Sequence, residues 1–434
     1  MLLLNVSDIH FRHPICTSGM DPDRPFRTRL IQDARQRSAE LGSVDAMLVS
    51  GDIAFAGMTE EYDEAYRWLV ELATVCNCPL ERIYVIPGNH DVNRVTTRTD
   101  MGVRNVHRAI SRATAHEREG ELLAQFRHQD TGRALMEPIA AYNVFAARFS
   151  CQVYTPDKLF WHQDLPLDDK RKLRIYGLTS TLLSGSGGTD DARMGLYLSP
   201  LQTVLDPVDG VVNLVMCHHP PDWLMDHDEV EDAVNGRAAI QFFGHKHRTR
   251  IHREQHYIRF SAGAVNPERH LPGWEPGYNF VRLNVANENG RSTLEIEAYL
   301  LVWQTNPDLF HPKLNENGEP VFRHSIRLPI LPAGFQPAVE QIDLPPDAQL
   351  VADRPVVAER EKSMSDHDTR NLVLRFWDLT SSKRREIALE LGLLDRDEIT
   401  QLPEPERYGR ALARAGERGL LERVAEEIRK REGR

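Results

Sequence analysis

Five times along this 434-residue chain a short apolar run stops at a compact block of polar residues able to ligate metals. The blocks are Asp8-Ile9-His10, Gly51-Asp52, Gly88-Asn89-His90-Asp91, His218-His219-Pro220 and Gly244-His245-Lys246-His247. The runs before them, Leu2 to Val6, Asp45 to Ser50, Arg82 to Ile86, Val211 to Cys217 and Ala239 to Phe243, have the length and composition of buried strands. Two helical patterns separate the first three runs. Pro25 to Leu41 carries Leu30, Ile31, Ala34, Ser38 and Leu41 on one face and stops at Gly42. Thr59 is placed to cap a second helix, opened by Glu60 and Glu61, with Tyr62, Tyr66, Leu69 and Ala73 on its apolar side. This strand–helix alternation implies an α/β fold with a parallel sheet, and open sheets of that kind bind ligands at the carboxyl ends of their strands. The polar blocks occupy those ends.

Asp, His and Asn offer oxygen and imidazole nitrogen, a mixture suited to first-row divalent metals and not to calcium. Asp-x-His and His-x-His suit a strand end, because residues two apart point the same way from the pleat. The neighbouring glycines let the backbone come close to the metals.

The rest of the chain divides by pattern. Residues 92–169 read as a polar, mostly helical insertion. Strands resume at Leu173 to Thr179 and recur through Tyr257 to Ser261, Tyr278 to Val285 and Leu294 to Val302 without long helices between them, which predicts two packed sheets with helices outside. Residues 333–365, punctuated by Pro337, Pro345, Pro346 and Pro355, read as a linker between a domain at 1–332 and a small helical module at 366–434. Acidic residues outnumber basic ones, 64 to 53, and the net charge of −11 argues against a global electrostatic grip on nucleic acid while leaving room for a local basic patch. Five cysteines, sparse and odd in number, exclude a disulfide scaffold and favour a reducing compartment. The opening Met-Leu-Leu-Leu-Asn-Val-Ser-Asp reads as a buried strand and not as a signal peptide. No apolar stretch approaches the ~20 residues that span a bilayer. A soluble, cytoplasmic protein with no membrane partner is expected.

Taken together, the five blocks closely resemble the calcineurin-like metallophosphoesterase family, over about residues 1–300. The resemblance implies a four-layer α/β/β/α sandwich and a two-metal phosphodiesterase site. Carried over position by position, Asp8, His10, Asp52 and His247 would hold one metal, with Asp52 bridging to the other. Asn89, His218 and His245 would complete the second. His90 would be the acid or transition-state donor, oriented by Asp91. Manganese is the first choice of metal, with iron, zinc, nickel or cobalt open. Purple acid phosphatases place a tyrosine ligand three residues after the bridging aspartate. Phe55 stands there in this chain, which excludes a tyrosinate–ferric site, and the double-strand-break repair exonucleases usually carry a histidine at the same place.

Substrate choice is expected from the insertion. Arg104, Arg108 and Arg112 recur on one helical face, either as a phosphate-tracking lid over the site or as a solvated face paired with local glutamates. Tyr142, Phe145, Phe149 and Trp161 either stack a base or fill a core. His219 either lines the pocket or packs, and His13, His107, His116 and His128 read as surface residues. The C-terminal module, from Arg-Phe-Trp-Asp-Leu through Ile-Ala-Leu-Glu-Leu-Gly-Leu-Leu, loosely resembles the death-like adaptor domains appended to effectors in bacterial conflict systems. That resemblance implies a protein partner bearing a like domain; a helical cap or self-association unit is the alternative. Three function classes follow: a nuclease acting on DNA or RNA as a defence effector, a small-molecule phosphodiesterase of cyclic-nucleotide type, and a binding scaffold with a vestigial phosphoesterase fold. The first is favoured, because a minimal diesterase needs neither the insertion nor the appended module.

Overall fold

The computed structural model describes residues 1–267, 275–288, 290–332, 335 and 366–432. The expected alternation opens the chain: β1 (Leu2–Val6), α1 (Arg24–Leu41), β2 (Ala46–Val49), α2 (Thr59–Val75) and β3 (Ile83–Val85). Pro25 sits in the first turn of α1, where its missing N–H costs nothing, and Leu30, Ile31 and Ala34 are buried as the spacing predicts. Thr59 is the first residue of α2 and not its cap. Instead the buried Glu61 carboxylate turns back to accept the Met58 and Ala56 N–H groups.

The insertion begins with five helices: α3 (Arg94–Thr99), α4 (Met101–Arg112), α5 (Ala115–Arg127), α6 (Gln129–Met136) and α7 (Ala140–Ala147). It ends earlier than the sequence pattern implies. β4 (Trp161–Pro166) lies inside the expected 92–169 stretch yet pairs with β5 (Lys172–Gly177) as an edge strand of the second sheet. Then come β6 (Val211–Cys217), α8 (His227–Arg237), β7 (Ile240–Phe243), β8 (Arg250–Arg253), β9 (Ile258–Ser261), β10 (Gly277–Glu288), β11 (Arg291–Gln304), β12 (Leu309–Pro312) and β13 (Phe322–Arg327).

One sheet runs β12-β11-β10-β1-β2-β3, with β13 also on β11; the other runs β4-β5-β6-β7-β9-β8. β1, β2 and β3 are parallel, as are β5, β6, β7 and β9. A continuous apolar core between the sheets takes Leu4 and Leu48 from one and Met216, Phe242 and Phe260 from the other. Outside the second sheet, Val106, Ile110 and Phe126 of the insertion share a smaller core with Val215 of β6 and Val230 of α8. The result is the expected two-sheet sandwich with helices on both outer faces. Tyr142, Phe145, Phe149 and Trp161 are all buried in the main core, so they are packing residues and not a base-stacking platform. His107 is buried too, on the inner face of α4. No helix among the described residues is long and apolar enough to cross a membrane, and all five cysteines are unpaired.

The C-terminal helices are α9 (Asp366–Asp378), α10 (Ser381–Glu390), α11 (Arg396–Gln401), α12 (Glu404–Glu417) and α13 (Leu421–Glu432). They close around Leu372, Phe376, Trp377, Ile387, Tyr408 and Ile428, but this core also takes Ala147 from α7, and Leu374 of α9 belongs to the main core. The module is therefore docked on the sandwich. The linker expected at 333–365 lies outside the described residues, Phe335 excepted.

Lys158 is close to this junction, where burial and the nearby Arg370 guanidinium pull its ammonium from 10.5 down to about 8. A group whose folded pKa is depressed in this way destabilises the fold while charged, so its cost is full below about pH 8 and vanishes as pH approaches 10.5. Replacing Lys158 with Met should raise the melting temperature at pH 7 by roughly 2 °C, with the gain fading across that window. Thermal melts of both proteins at pH 7 and 10 check it; an equal gain at both values would contradict the assigned cause.

Candidate metal centre

Every block converges at the carboxyl ends of β1, β2, β3, β6 and β7, where the two sheets meet. Asp8 and His10 follow β1, Asp52 follows β2, Asn89 to Asp91 form a single turn after β3, His218 follows β6, and His245 and His247 follow β7. The pleat argument for their direction does not hold. Asp8, His10, Asp52, His245 and His247 all lie beyond their strands with φ between 50° and 66°, a left-handed conformation that costs non-glycine residues free energy. The side chains are aimed by these turns. The core on either side holds the strained backbone in place.

Asp52 is the hub. Its Oδ2 lies 3.3 Å from His10 Nε2 and 3.3 Å from His218 Nε2, while its Oδ1 accepts the His90 N–H at 2.7 Å. On one side Asp8, His10, Asp52 and His247 form a cluster whose donor atoms lie within 4.8 Å of one another. Asp8 Oδ1 is buried without a hydrogen bond and faces His247 Nε2 at 3.0 Å. On the other side Asn89 Oδ1 is 3.2 Å from His218 Nε2 and 2.9 Å from His245 Nδ1. The remaining ring nitrogens are tied to backbone: His218 Nδ1 to Ser50 O at 2.8 Å and His10 Nδ1 to Asn266 O at 3.1 Å. Such ties fix the tautomer and leave Nε2 for a metal. An unsatisfied buried carboxylate oxygen amid converging imidazole nitrogens fits a pair of divalent cations.

The electrostatics agree. Burial opposes ionisation of Asp8 and Asp52, but His247 holds Asp8 down at about 2, and His218 and His90 hold Asp52 well below the usual carboxylate range. Asp52 in turn raises His218 to about 9 against its burial. Protonated His218 and His10 thus supply part of the positive charge that the carboxylates require.

Asp91, expected to orient His90, does something else. Its buried carboxylate accepts the N–H groups of Ile53, Ala54 and Gly88 and the Tyr62 hydroxyl, tying the β2 and β3 loops together. His90 is held by Phe55, whose carbonyl faces its Nδ1 at 2.9 Å and whose ring stacks on it at 4.9 Å. Sequence reasoning missed this partner, because Phe55 lies 35 residues from His90 and holds it through a main-chain carbonyl.

A cavity of about 550 Å³ opens over the cluster, lined by His10, Arg12, Phe55, His90, Arg94 and Trp223 among others. Arg104, Arg108 and Arg112 do not line it. The buried face of α4 carries Val103, Val106, His107 and Ile110, which turns the arginines outward. Among the described residues the arginines lining the cavity are Arg94, paired with Asp190, and Arg12, lying over the Phe55 ring at 3.6 Å. His219 is fully buried outside the cavity lining, with Nδ1 on Ser180 Oγ at 2.8 Å and its ring 4.8 Å from that of His245. Its Nε2 has no hydrogen-bond partner among the described residues, and with His218 and His245 it forms a second group whose donor atoms lie within 4.8 Å of one another.

Compared with protein-family models, residues 1–249 match calcineurin-like phosphoesterase and residues 368–430 match the GTPase-associated adaptor domain. No curated protein matches the chain. Among solved structures it is similar to Vps29 from Entamoeba histolytica complexed with zinc, at 11% identity, covering 75% of this chain and 99% of that one with a TM-score of 0.28. A predicted phosphoesterase from Streptococcus pneumoniae is similar at 12% identity, with 75% and 97% covered and a TM-score of 0.27. A purple acid phosphatase from yellow lupin is similar at 10% identity, with 75% and 53% covered and a TM-score of 0.35. At these scores the likenesses carry no argument about chemistry.

Two glycines leave room for the cluster. A Cβ on Gly88 would stand 2.2 Å from Asp52 Oδ1, and one on Gly51, whose φ is +89°, would stand 2.6 Å from His218 Nδ1. Replacing Gly88 with Ala should therefore displace Asp52 and lower cation affinity by tenfold or more, with the fold retained. Calorimetric titration with Mn²⁺ beside a circular dichroism spectrum checks it; unchanged affinity would mean that Asp52 does not depend on this contact.

Proposed function

We propose, from the premise that this chain belongs to the calcineurin-like phosphoesterase family, that it is a hydrolase cleaving phosphodiesters with the help of two divalent cations. The observation that carries the reading is Asp52 Oδ2, equidistant from His10 and His218 and so placed to serve both halves of the cluster. Asp8, His10, Asp52 and His247 would hold one cation, and Asp52, Asn89, His218 and His245 the other. Manganese remains the first choice, with iron, zinc, nickel and cobalt open because these donors do not choose among them. When bound, such a pair lowers the pKa of water and neutralises charge on the phosphoryl oxygens.

The chain's own groups complete the chemistry. With Nδ1 occupied by the Phe55 carbonyl, His90 keeps Nε2 for the reaction, and burial lowers its pKa below the usual imidazole value. The ring is then neutral at pH 7, able to take a proton at Nε2 and return it to the leaving oxygen. Asp91 preserves the loop geometry that presents His90. Arg12 and Arg94 are placed to receive phosphate oxygens beside the scissile bond.

A polynucleotide is the favoured substrate, in a cytoplasmic defence effector that its C-terminal module joins to a protein partner. Two arginines in an open cavity and a module matching an adaptor model support that reading. The second reading, a small diester of cyclic-nucleotide type, is favoured by the outward placement of Arg104, Arg108 and Arg112. A scaffold role is disfavoured by the complete set of ligands.

Plasmid DNA, single-stranded DNA, RNA and a cyclic-nucleotide panel, assayed with Mn²⁺ and again after chelation, should show Mn²⁺-dependent cleavage of a polynucleotide. Cleavage of cyclic nucleotides alone would select the second reading, and activity that survives chelation would defeat the two-cation mechanism. Asp52→Asn should lose activity together with most bound metal. His90→Ala should keep its metal while turnover falls ~10²-fold; parallel loss of metal would make His90 a ligand.

A further inference from the structure

We propose that Arg370, on α9 of the C-terminal module, is a positioning residue of the phosphoesterase site: it holds the free edge of β3 and, through it, Asn89 and His90. The proposal rests on the two-cation reading above.

β3 is the last strand of its sheet and only three residues long, hydrogen-bonded to β2 along one side. A strand in that position presents unpaired carbonyls that must find partners once covered. Side chains supply them here. The Arg370 guanidinium donates to the carbonyls of Glu81, of Ile83 at 3.4 Å and of Phe149 at 2.8 Å, while the Tyr142 hydroxyl donates to Val85 O at 3.1 Å. Arg370 is 8% exposed and lies 4.6 Å over the Tyr84 ring, itself fully buried. No carboxylate among the described residues forms an ion pair with it, so its charge is met by carbonyl dipoles and an aromatic face. That arrangement is favourable only while the three carbonyls hold their places.

The strand so held runs straight into the site. Ile86 is tied to Val49 O at 3.2 Å, Pro87 and Gly88 follow, and then Asn89 places its Oδ1 between His218 and His245 while the His90 N–H grips Asp52. Asp8, His10 and His247 depend on β1 and β7 instead. A displacement of β3 should therefore take Asn89 from one half of the cluster and reach the other only through the His90 N–H on the shared Asp52, so the first half should suffer far more. A planar fork holds its donors at fixed directions toward carbonyls on separate segments; a lysine ammonium, three donors on one atom of a flexible stem, cannot reproduce that spread.

The test uses the full chain, Mn²⁺ alone as probe, and backbone hydrogen exchange. The wild type should bind two Mn²⁺ ions in calorimetric titration. Arg370→Ala should weaken one site tenfold or more, leave the other within about twofold, and speed exchange at residues 83–90. Arg370→Lys should restore little of this. Asp378→Ala removes the rim contact with Arg148 and Tyr66 at the same interface, away from β3, and should leave both sites intact. Unchanged Mn²⁺ binding and exchange in Arg370→Ala, or equal weakening of both sites, would overturn the proposal, as would an Asp378→Ala effect of the same size. Should Arg370→Ala fail to fold, Tyr142→Phe decides, since it frees only the Val85 carbonyl: selective loss at one site supports the proposal and no loss overturns it. A wild type that binds neither Mn²⁺ nor Zn²⁺, Fe²⁺, Ni²⁺ or Co²⁺ would instead defeat the two-cation reading itself.

Discussion

The Asp52 carboxylate joins what would otherwise be two half-sites. It follows a strand of the first sheet, yet one of its oxygens lies against His218 of the second sheet as closely as against His10 of its own. A buried carboxylate in that position is tolerable only if positive charge meets it from both sides. His218 and His10 meet part of that need by taking up protons, so His218 is raised to about 9 while Asp52 is held low. The same requirement explains the neighbouring backbone. The His90 N–H must reach Oδ1, Gly88 must carry no side chain, and the Asp52 backbone must turn left-handed. The strands on either side of this group are packed so that it has nowhere else to go.

Much of this was legible in the residues. The five blocks stand out because metal chemistry limits which side chains can serve, and strand ends limit where they can stand. The strands carrying them were readable within a residue or two for a different reason: buried on both faces, they are continuous apolar runs bounded by glycine or polar residues. What escaped was carried by main-chain atoms or by three-dimensional direction. Phe55 holds His90 through its carbonyl, a group every residue possesses, so nothing in its side chain announces the bond. The family resemblance implied an orienting role for Asp91; three N–H groups from two loops claim its carboxylate instead. Arg104, Arg108 and Arg112 were correctly placed on one helical face, but periodicity does not say where that face points. Trp161 to Pro166, polar at Gln163 and Asp164, lacked the apolar signature because an edge strand is partly wet.

The histidines teach the same lesson about burial. Composition alone leaves most of the 18 unassigned. His219 lies behind the cavity lining: its ring lies against both His218 and His245, and burial with those neighbours drives its pKa well below the usual value. A neutral ring there supports two others without adding charge to a cluster that already balances carboxylates against imidazolium.

The C-terminal helices raise a question of coupling. A module on a loose tether can change where an enzyme is but not how its site is built. This one shares core residues in both directions, Ala147 with its own core and Leu374 with the main one, and its Arg370 covers the open edge of β3. Removing such a cover leaves carbonyls unsatisfied and exposes a short strand edge that fresh water or another chain would have to meet. Force applied to α9 would therefore be felt first at β3, and the residues that follow β3 are Asn89 and His90. The adaptor-like helices are part of the scaffold that gives the cluster its shape, because the sheet on which the cluster rests ends at their surface.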